Sequence, residues 1–306
     1  MITLAVACRC ALTVAFAGLL NSCGGDGDGK SVLPQFGHVL VVVEENADLA
    51  NVVDNQSIMP FLEGLANQYG VAMQYYANTH PSIGNYMMLT TGQLLTGDSA
   101  ATPDSFPVDA DNVVRQLTLS GKTWRAYAED LPAVGYTGPD VGFYAVRHVP
   151  FAFFSDVRNS DDQKKNLVPF TQFSEDLRAG QLPQYSFVIP NACNDAHDCG
   201  LDVADRWLQL NLEPLLEDPE FKADGLLIIT FDEAATDNTH GGGHVATLLI
   251  SPAFSKRNYV SQSLYQHEST LRLTLEALGV TSLPGAAATA PPMDEFFCTA
   301  DVVACQ

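Results

Sequence analysis

The chain predicts an α/β domain: a mostly parallel central β-sheet flanked by helices on both faces. Three observations point there. His38-Val39-Leu40-Val41-Val42-Val43 and Gly225-Leu226-Leu227-Ile228-Ile229-Thr230-Phe231 are continuous apolar, β-branched runs, the pattern of strands covered on both sides in a parallel sheet. Such runs alternate with segments of helical spacing, as in Val203 to Leu216 through Trp207, Leu208, Leu210, Leu212 and Leu215. And 306 residues with 46% hydrophobic content suffice for one large domain, expected over 36–306. A formal net charge of −21 excludes a nucleic-acid backbone or an anionic membrane face as partner, since both repel such a chain.

The chain begins with the pattern of an export signal. Arg9 precedes a short apolar core from Ala11 to Leu20, too short to span a bilayer. Leu19-Leu20-Asn21-Ser22-Cys23 is similar to a bacterial lipobox with an atypical Asn21, so residues 1–22 are expected to be cleaved and Cys23 to carry a lipid anchor. A secretory signal with Cys23 incidental is the alternative. Residues 23–35 read as a flexible Gly- and Asp-rich tether. With Cys8, Cys10 and Cys23 set aside, Cys193, Cys199, Cys298 and Cys305 remain in two close pairs. Disulfides Cys193–Cys199 and Cys298–Cys305 are predicted, formed in the periplasm, at the cell surface or outside the cell.

The first buried strand stops abruptly at Glu44-Glu45-Asn46, and in open α/β sheets the ligand crevice lies at the carboxyl ends of the strands. Met59 to Tyr69 has helical spacing behind Pro60, and Val71 to Tyr76 reads as a second strand. Thr79-His80-Pro81-Ser82-Ile83-Gly84-Asn85-Tyr86 follows, with Pro81 suited to a helix entry and Gly92 to its end. Ser82 then sits where a partial positive charge and unpaired N–H groups hold an anion, although serine also caps helices with no other role. Thr96 to Asp109 reads as loop, Asp111 to Leu119 as a short helix and Thr123 to Ala128 as a strand. Leu131 to Val168, aperiodic and rich in aromatics, reads as an insertion over the sheet that walls the pocket, with His148 a packed core residue. Phe170 to Ala179 reads as a helix and Gln184 to Ile189 as a strand. After it, Asn191 to Cys199 gathers Asp195, His197 and Asp198 in a loop the cysteines can close. The run from Gly225 ends in Asp232-Glu233, a Gly-rich turn leads through His244 into a strand from Val245, and Glu268 to Leu278 is a closing helix.

Three strands therefore end in Glu45-Asn46, in Asp195 with His197 and Asp198, and in Asp232-Glu233. Parallel strands place these ends on one edge, beside Ser82. Converging carboxylates need a cation, and oxygen-rich ligation suits Mg²⁺, Ca²⁺, Mn²⁺ or Zn²⁺.

Val41-Val42-Val43-Glu44-Glu45-Asn46, the stretch from Thr79 to Tyr86, Asn194-Asp195-Ala196-His197-Asp198, and Phe231-Asp232-Glu233 ahead of Gly243-His244-Val245 resemble the bacterial phosphoesterase family. That family holds secreted acid phosphatases and phospholipases C within the alkaline phosphatase-like superfamily, and the likeness runs from about His38 to Leu278. It implies an alkaline phosphatase-like fold, Ser82 as nucleophile, and Glu45, Asn46, Asp232 and Glu233 as metal ligands. It implies Asn85 as a holder of phosphoryl oxygens, His197 and His244 as acid–base or phosphate contacts, and Asp195 and Asp198 as supports or further ligands. Gly84 stands where many relatives have Pro, and Glu233 where others have Asp or His, which leaves the identity and number of metal ions open. The implied substrate is a phosphorylated small molecule or a phospholipid. Three alternatives remain: a phospholipase C or phosphodiesterase of the same family, a metal-free serine acyl hydrolase using Ser82, Asp232 and His244 in nucleophile-elbow order, and a non-catalytic ligand-binding lipoprotein.

Overall fold

The computed structural model describes residues 33–53 and 58–298, which lie in one compact unit, Ser31–Gln306. The expected signal, Cys23 and nearly all of the tether lie outside the described residues, as does Cys305. Cys298 is disulfide-bonded, and Cys193–Cys199 is bridged as the sequence predicts.

Among the described residues ten strands follow in chain order: β1 (His38–Glu44), β2 (Gly70–Ala72), β3 (Tyr75–Tyr76), β4 (Trp124–Ala128), β5 (Leu167–Pro169), β6 (Tyr185–Ile189), β7 (Gly225–Phe231), β8 (Thr247–Ile250), β9 (Tyr259–Ser261) and β10 (Tyr265–Gln266). Eight of them form one sheet in the order β5-β4-β6-β1-β7-β8-β2-β9, while β10 and β3 pair separately. From β5 through β7 every pairing is parallel, and β8 runs antiparallel to both its neighbours. The apolar runs sit in the middle. Every residue of β6 and β7 is buried, and all of β1 but His38, so helices and loops cover both faces.

The helix Ser82–Thr91 packs with His267–Ala277, and Pro60–Gln68 packs with Leu201–Glu217. Two expectations change in detail. Val71 to Tyr76 is not one strand: β2 joins the large sheet beside β8 and β9, whereas β3 pairs with β10. The insertion is not wholly aperiodic either, since it holds short helical turns and closes with β5 on the sheet edge. Its aromatics form core, with Phe151, Phe153 and Phe154 fully buried. No described helix is long and apolar enough to cross a membrane.

Candidate active site

β6, β1 and β7 are neighbours in the centre of the sheet and run the same way, so the segments leaving their carboxyl ends converge. Glu45 and Asn46 follow β1, Asp232 and Glu233 follow β7, and the disulfide-closed loop follows β6. Backbone hydrogen bonds stitch the three together: Glu45 N–H donates to Asp195 O at 2.8 Å, Asp232 N–H to Glu44 O at 2.9 Å, and Ala47 N–H to Glu233 O at 3.2 Å.

Ser82 opens a ten-residue helix with Pro81 as its cap residue and the left-handed Gly92 closing it. Its hydroxyl donates to Glu45 Oε2 at 3.0 Å. It also lies close enough to Asp232 and Glu233 to offset part of their upward pKa shift. Asn46, in the left-handed region that asparagine tolerates, donates its backbone N–H to Asp232 Oδ1 at 3.3 Å and its amide to Glu45 Oε2 at 3.2 Å. Ser82, Glu45, Asn46, Asp232 and Glu233 are thus one cluster.

Asn85 joins it from the next turn of the helix. Its Oδ1 accepts from Asn78 N–H at 3.0 Å and Thr79 N–H at 3.2 Å, and its Nδ2 donates to Thr79 O at 2.7 Å and Glu233 Oε2 at 3.4 Å. Asn85 therefore pins the backbone that presents Ser82. The same backbone explains the glycine run: a Cβ on Gly241 would lie 2.2 Å from Asn78 O, and one on Gly242 would lie 2.5 Å from Thr79 O.

The second half of the site contains His148, which the insertion carries to full burial. Its Nε2 lies 3.2 Å from Glu45 Oε1 and its Nδ1 lies 3.2 Å from Asp195 Oδ2, while its ring stacks on Tyr86 at 5.1 Å and 8°. The expectation of a merely packed core histidine is corrected here, because the ring stands between two buried carboxylates. Nothing in its sequence neighbourhood marked this, since both partners come from other strand ends. His80 also joins the cluster, without a sequence-based expectation for it. Its Nδ1 lies 3.1 Å from Glu233 Oε2 and its Nε2 donates to Asp237 O at 3.2 Å; its position two residues before Ser82 was the available signal.

The expected histidines stand further out. His197 Nδ1 pairs with Asp198 Oδ1 at 2.7 Å, and its Nε2 meets Arg147 Nη2 at 3.3 Å. Asp198 is half exposed and touches none of the Ser82 cluster. Asp195 is buried and accepts from His197 N–H at 2.8 Å. His244 stacks on Tyr76 and donates Nε2–H to Met73 O at 2.8 Å. Among the described residues no histidine is hydrogen-bonded to Ser82, so Ser82, Asp232 and His244 do not assemble as an acyl-hydrolase triad despite their chain order.

Burial dominates the electrostatics. It raises Glu45 well above the usual carboxylate range, helped by the charges of Asp232 and Asp195. Asp232 rises for the same reason, with Glu233 adding to it. Asp195 and Glu233 are each pushed up to about 7, chiefly by desolvation. His148 is driven well below the ordinary imidazole value by burial and then by Arg147. These shifts describe carboxylates lacking a countercharge. Glu45 Oε1, Asp195 Oδ2, Asp232 Oδ2 and both ring nitrogens of His148 are buried with no hydrogen bond of acceptable geometry. Glu45, His148 and Asp195 each offer a ligand atom within 4.8 Å of the others. Orphaned oxygens with one imidazole make a donor set that fits a hard or borderline divalent cation.

A mostly parallel α/β sheet with a serine at a helix N-terminus among carboxylates defines the class: a protein of the alkaline phosphatase-like fold. Solved structures agree on the fold. A protein of the alkaline phosphatase superfamily from Vibrio parahaemolyticus superposes with a TM-score of 0.58 over 85% of this chain and 71% of its own, at 14% identity. The lipoteichoic acid synthase LtaP of Listeria monocytogenes does so with a TM-score of 0.54 over 85% and 76%, also at 14% identity. Residues 53–281 match the phosphoesterase family model, and the chain belongs to that family. Among curated relatives, phosphatidylinositol-3-phosphatase of Mycobacterium tuberculosis is 34% identical over 89% of this chain and 86% of its own length. A probable acid phosphatase of Kluyveromyces lactis is 33% identical over 66% of this chain and 48% of its own. An acid phosphatase of Aspergillus fumigatus is 30% identical over 78% and 54%, so the chain spans about half the length of these fungal relatives.

Proposed function

We propose that this enzyme hydrolyses phosphate monoesters through a phosphoserine intermediate on Ser82, assisted by a divalent cation, as an exported protein. The carrying observation is the Ser82 hydroxyl donating at 3.0 Å to Glu45, at a helix N-terminus and among carboxylates whose buried oxygens have no partner. Glu45, Asn46, Asp232 and Glu233 would hold the cation, with Asp195 beside His148 as a further ligand. Once bound, Mg²⁺, Ca²⁺, Mn²⁺ or Zn²⁺ would neutralise these carboxylates, lower the serine pKa and offset charge building on the phosphoryl oxygens.

The chain's own groups divide the remaining work. Ser82 Oγ attacks phosphorus in line; the Oγ–P bond forms as the ester P–O bond breaks, and Glu45 Oε2 is the acceptor already aligned with the hydroxyl proton. N–H groups of the first helical turn meet the equatorial oxygens, and each such preorganised contact is worth about 3–4 kcal/mol of barrier. Asn85 Nδ2, donating to Thr79 O and Glu233 Oε2, orients Glu233 and the backbone that presents Ser82. We place protonation of the leaving alcohol on His80, because its Nδ1 contacts Glu233 of the Ser82 cluster, whereas the contacts of His197 and His244 run to Asp198, Arg147 and Met73. Water then attacks the phosphoserine and gives a proton to the His80 imidazole left neutral by the first step; the P–Oγ bond breaks, Ser82 Oγ takes back the proton held by Glu45, and phosphate departs.

The acid phosphatase and phosphatidylinositol-3-phosphatase names of the relatives favour monoesters over diesters. A panel of p-nitrophenyl phosphate, bis-p-nitrophenyl phosphate and p-nitrophenyl butyrate, each with and without EDTA, tests the reading. Turnover of the monoester alone, lost on chelation and restored by one of the four ions, is expected. Turnover of the butyrate, or of the phosphate ester undiminished by exhaustive chelation, would overturn it.

A further inference from the structure

We infer that Arg147 is a substrate-binding residue for a second anionic group, carboxylate or phosphate, carried by the same monoester whose scissile phosphate meets Ser82. The inference rests on the phosphatase reading above and adds a substrate class to it. Arg147 lies on the single helical turn Val146–His148, immediately before the histidine that contacts Glu45. Its Nη1 lies 3.3 Å from Asp140 Oδ2. Its Nη2 donates to His197 Nε2 at 3.3 Å, an arrangement completed by His197 Nδ1–H donating to Asp198 at 2.7 Å. Asp140 is itself fixed, its Oδ1 accepting from Val146 N–H at 2.8 Å. Acids at both ends thus aim one guanidinium. Its side chain is only 21% exposed, and among the described residues two of the five N–H donors of the fork are engaged.

The setting gives this cation its meaning. Ser82, Glu45 and His148 form a contact chain, and the His197 ring lies 5.8 Å from that of His148. Arg147 therefore stands beyond Glu45, His148 and His197 from Ser82, at the partly exposed end of that series, while Glu45 and His148 are buried. Glu45, Asp195, Asp198, Asp232, Glu233 and Asp140 would repel any negative group lying beyond the reacting phosphate. Among the described residues no other Lys or Arg forms an ion pair with the Ser82 cluster or with His197. A planar fork matches a carboxylate or phosphate with two parallel hydrogen bonds, which a hydroxyl cannot reproduce.

The test uses 6-phosphogluconate and sorbitol 6-phosphate, open-chain monoesters that differ at the far end by a carboxylate in place of a hydroxymethyl group. The readout is the ratio of their kcat/KM values. Wild type should favour 6-phosphogluconate, chiefly in KM. Arg147→Met should lower the ratio about tenfold, and Arg147→Lys should restore part of it, the scale expected of one charge-assisted contact. Glycerophosphoinositol 3-phosphate and its dioctanoyl lipid, which share a second phosphate, separate a soluble source from a lipid one: loss confined to one of them names that source. Equal loss of Arg147→Met on both sugar substrates would mean that Arg147 only braces the disulfide loop, and overturns the inference. So does a wild type that hydrolyses both without preference, which needs no variant to fold. A wild type that turns over no monoester at all removes the phosphatase reading and this inference with it.

Discussion

Ser82→Ala separates chemistry from folding. The substitution removes one hydroxyl and one hydrogen bond, that to Glu45 Oε2 at 3.0 Å, while Asn46 continues to donate to the same oxygen at 3.2 Å. No cap is lost, because Ser82 is the first helical residue and Pro81 occupies the cap position. The structural cost is therefore one hydrogen bond, about 1 kcal/mol. In a chain this large that amounts to a fall in Tm of about 2–4 °C. The catalytic cost is of another order: with the covalent route gone, kcat should fall by about a thousandfold or more, equivalent to about 4 kcal/mol of barrier. Both quantities come from one preparation, by p-nitrophenyl phosphate turnover with saturating divalent ion and by differential scanning calorimetry. A variant that keeps more than about a tenth of wild-type kcat would end the assignment of Ser82 as nucleophile. A folded wild type whose Ala variant will not fold would refute the structural accounting instead.

Other consequences follow from the same geometry. Asp195 and Glu233 have folded-state pKa values raised to about 7, so the metal-free protein gains stability as pH falls and loses it as pH climbs from about 4 through about 7. Thermal melts in EDTA should show Tm dropping across that window, and added divalent ion should recover more at pH 8 than at pH 5; a flat apo profile would contradict it. Asn85→Asp keeps the shape but turns a donor into an acceptor facing Thr79 O and Glu233, so it should cost about 2–3 kcal/mol in urea unfolding, whereas an ordinary surface Asn→Asp should cost almost nothing. His148→Phe preserves the stack on Tyr86 but leaves Glu45 and Asp195 facing an apolar edge. It should weaken cation binding at least about tenfold by titration calorimetry, and unchanged affinity would reduce His148 to packing. Replacing both Cys193 and Cys199 by Ser opens a loop of sequence separation 6 and should cost about 2 kcal/mol on chain-entropy grounds.

Much of this was legible in the residues, for a physical reason. A strand buried on both faces must be apolar throughout, so the runs before Glu45 and Asp232 announce both the parallel sheet and the points where polar groups become affordable. Ser82 was legible because Pro81 and Gly92 bracket its helix. His148 and His80 were not, since their roles depend on which carboxylates the fold brings to them, and local pattern carries no information about that. The likeness between Asp195-Ala196-His197-Asp198 and a ligand block was only partly informative. Asp195 turns inward because its side chain accepts from the N–H of His197, while His197 and Asp198 pair with each other at the surface. The break between β2 and β3 was invisible for a similar reason: Val71 to Tyr76 looks continuous, but its two ends find partners in different sheets.

The placement of all three chemically armed turns on β6, β1 and β7 couples endurance to activity. These are interior strands of an eight-stranded sheet, the part of such a fold whose amide protons exchange only through whole-molecule opening, whereas outer strands such as β5 and β9 can fray alone. Denaturant should therefore extinguish turnover in the same transition that melts the domain, with no inactive but still folded species between.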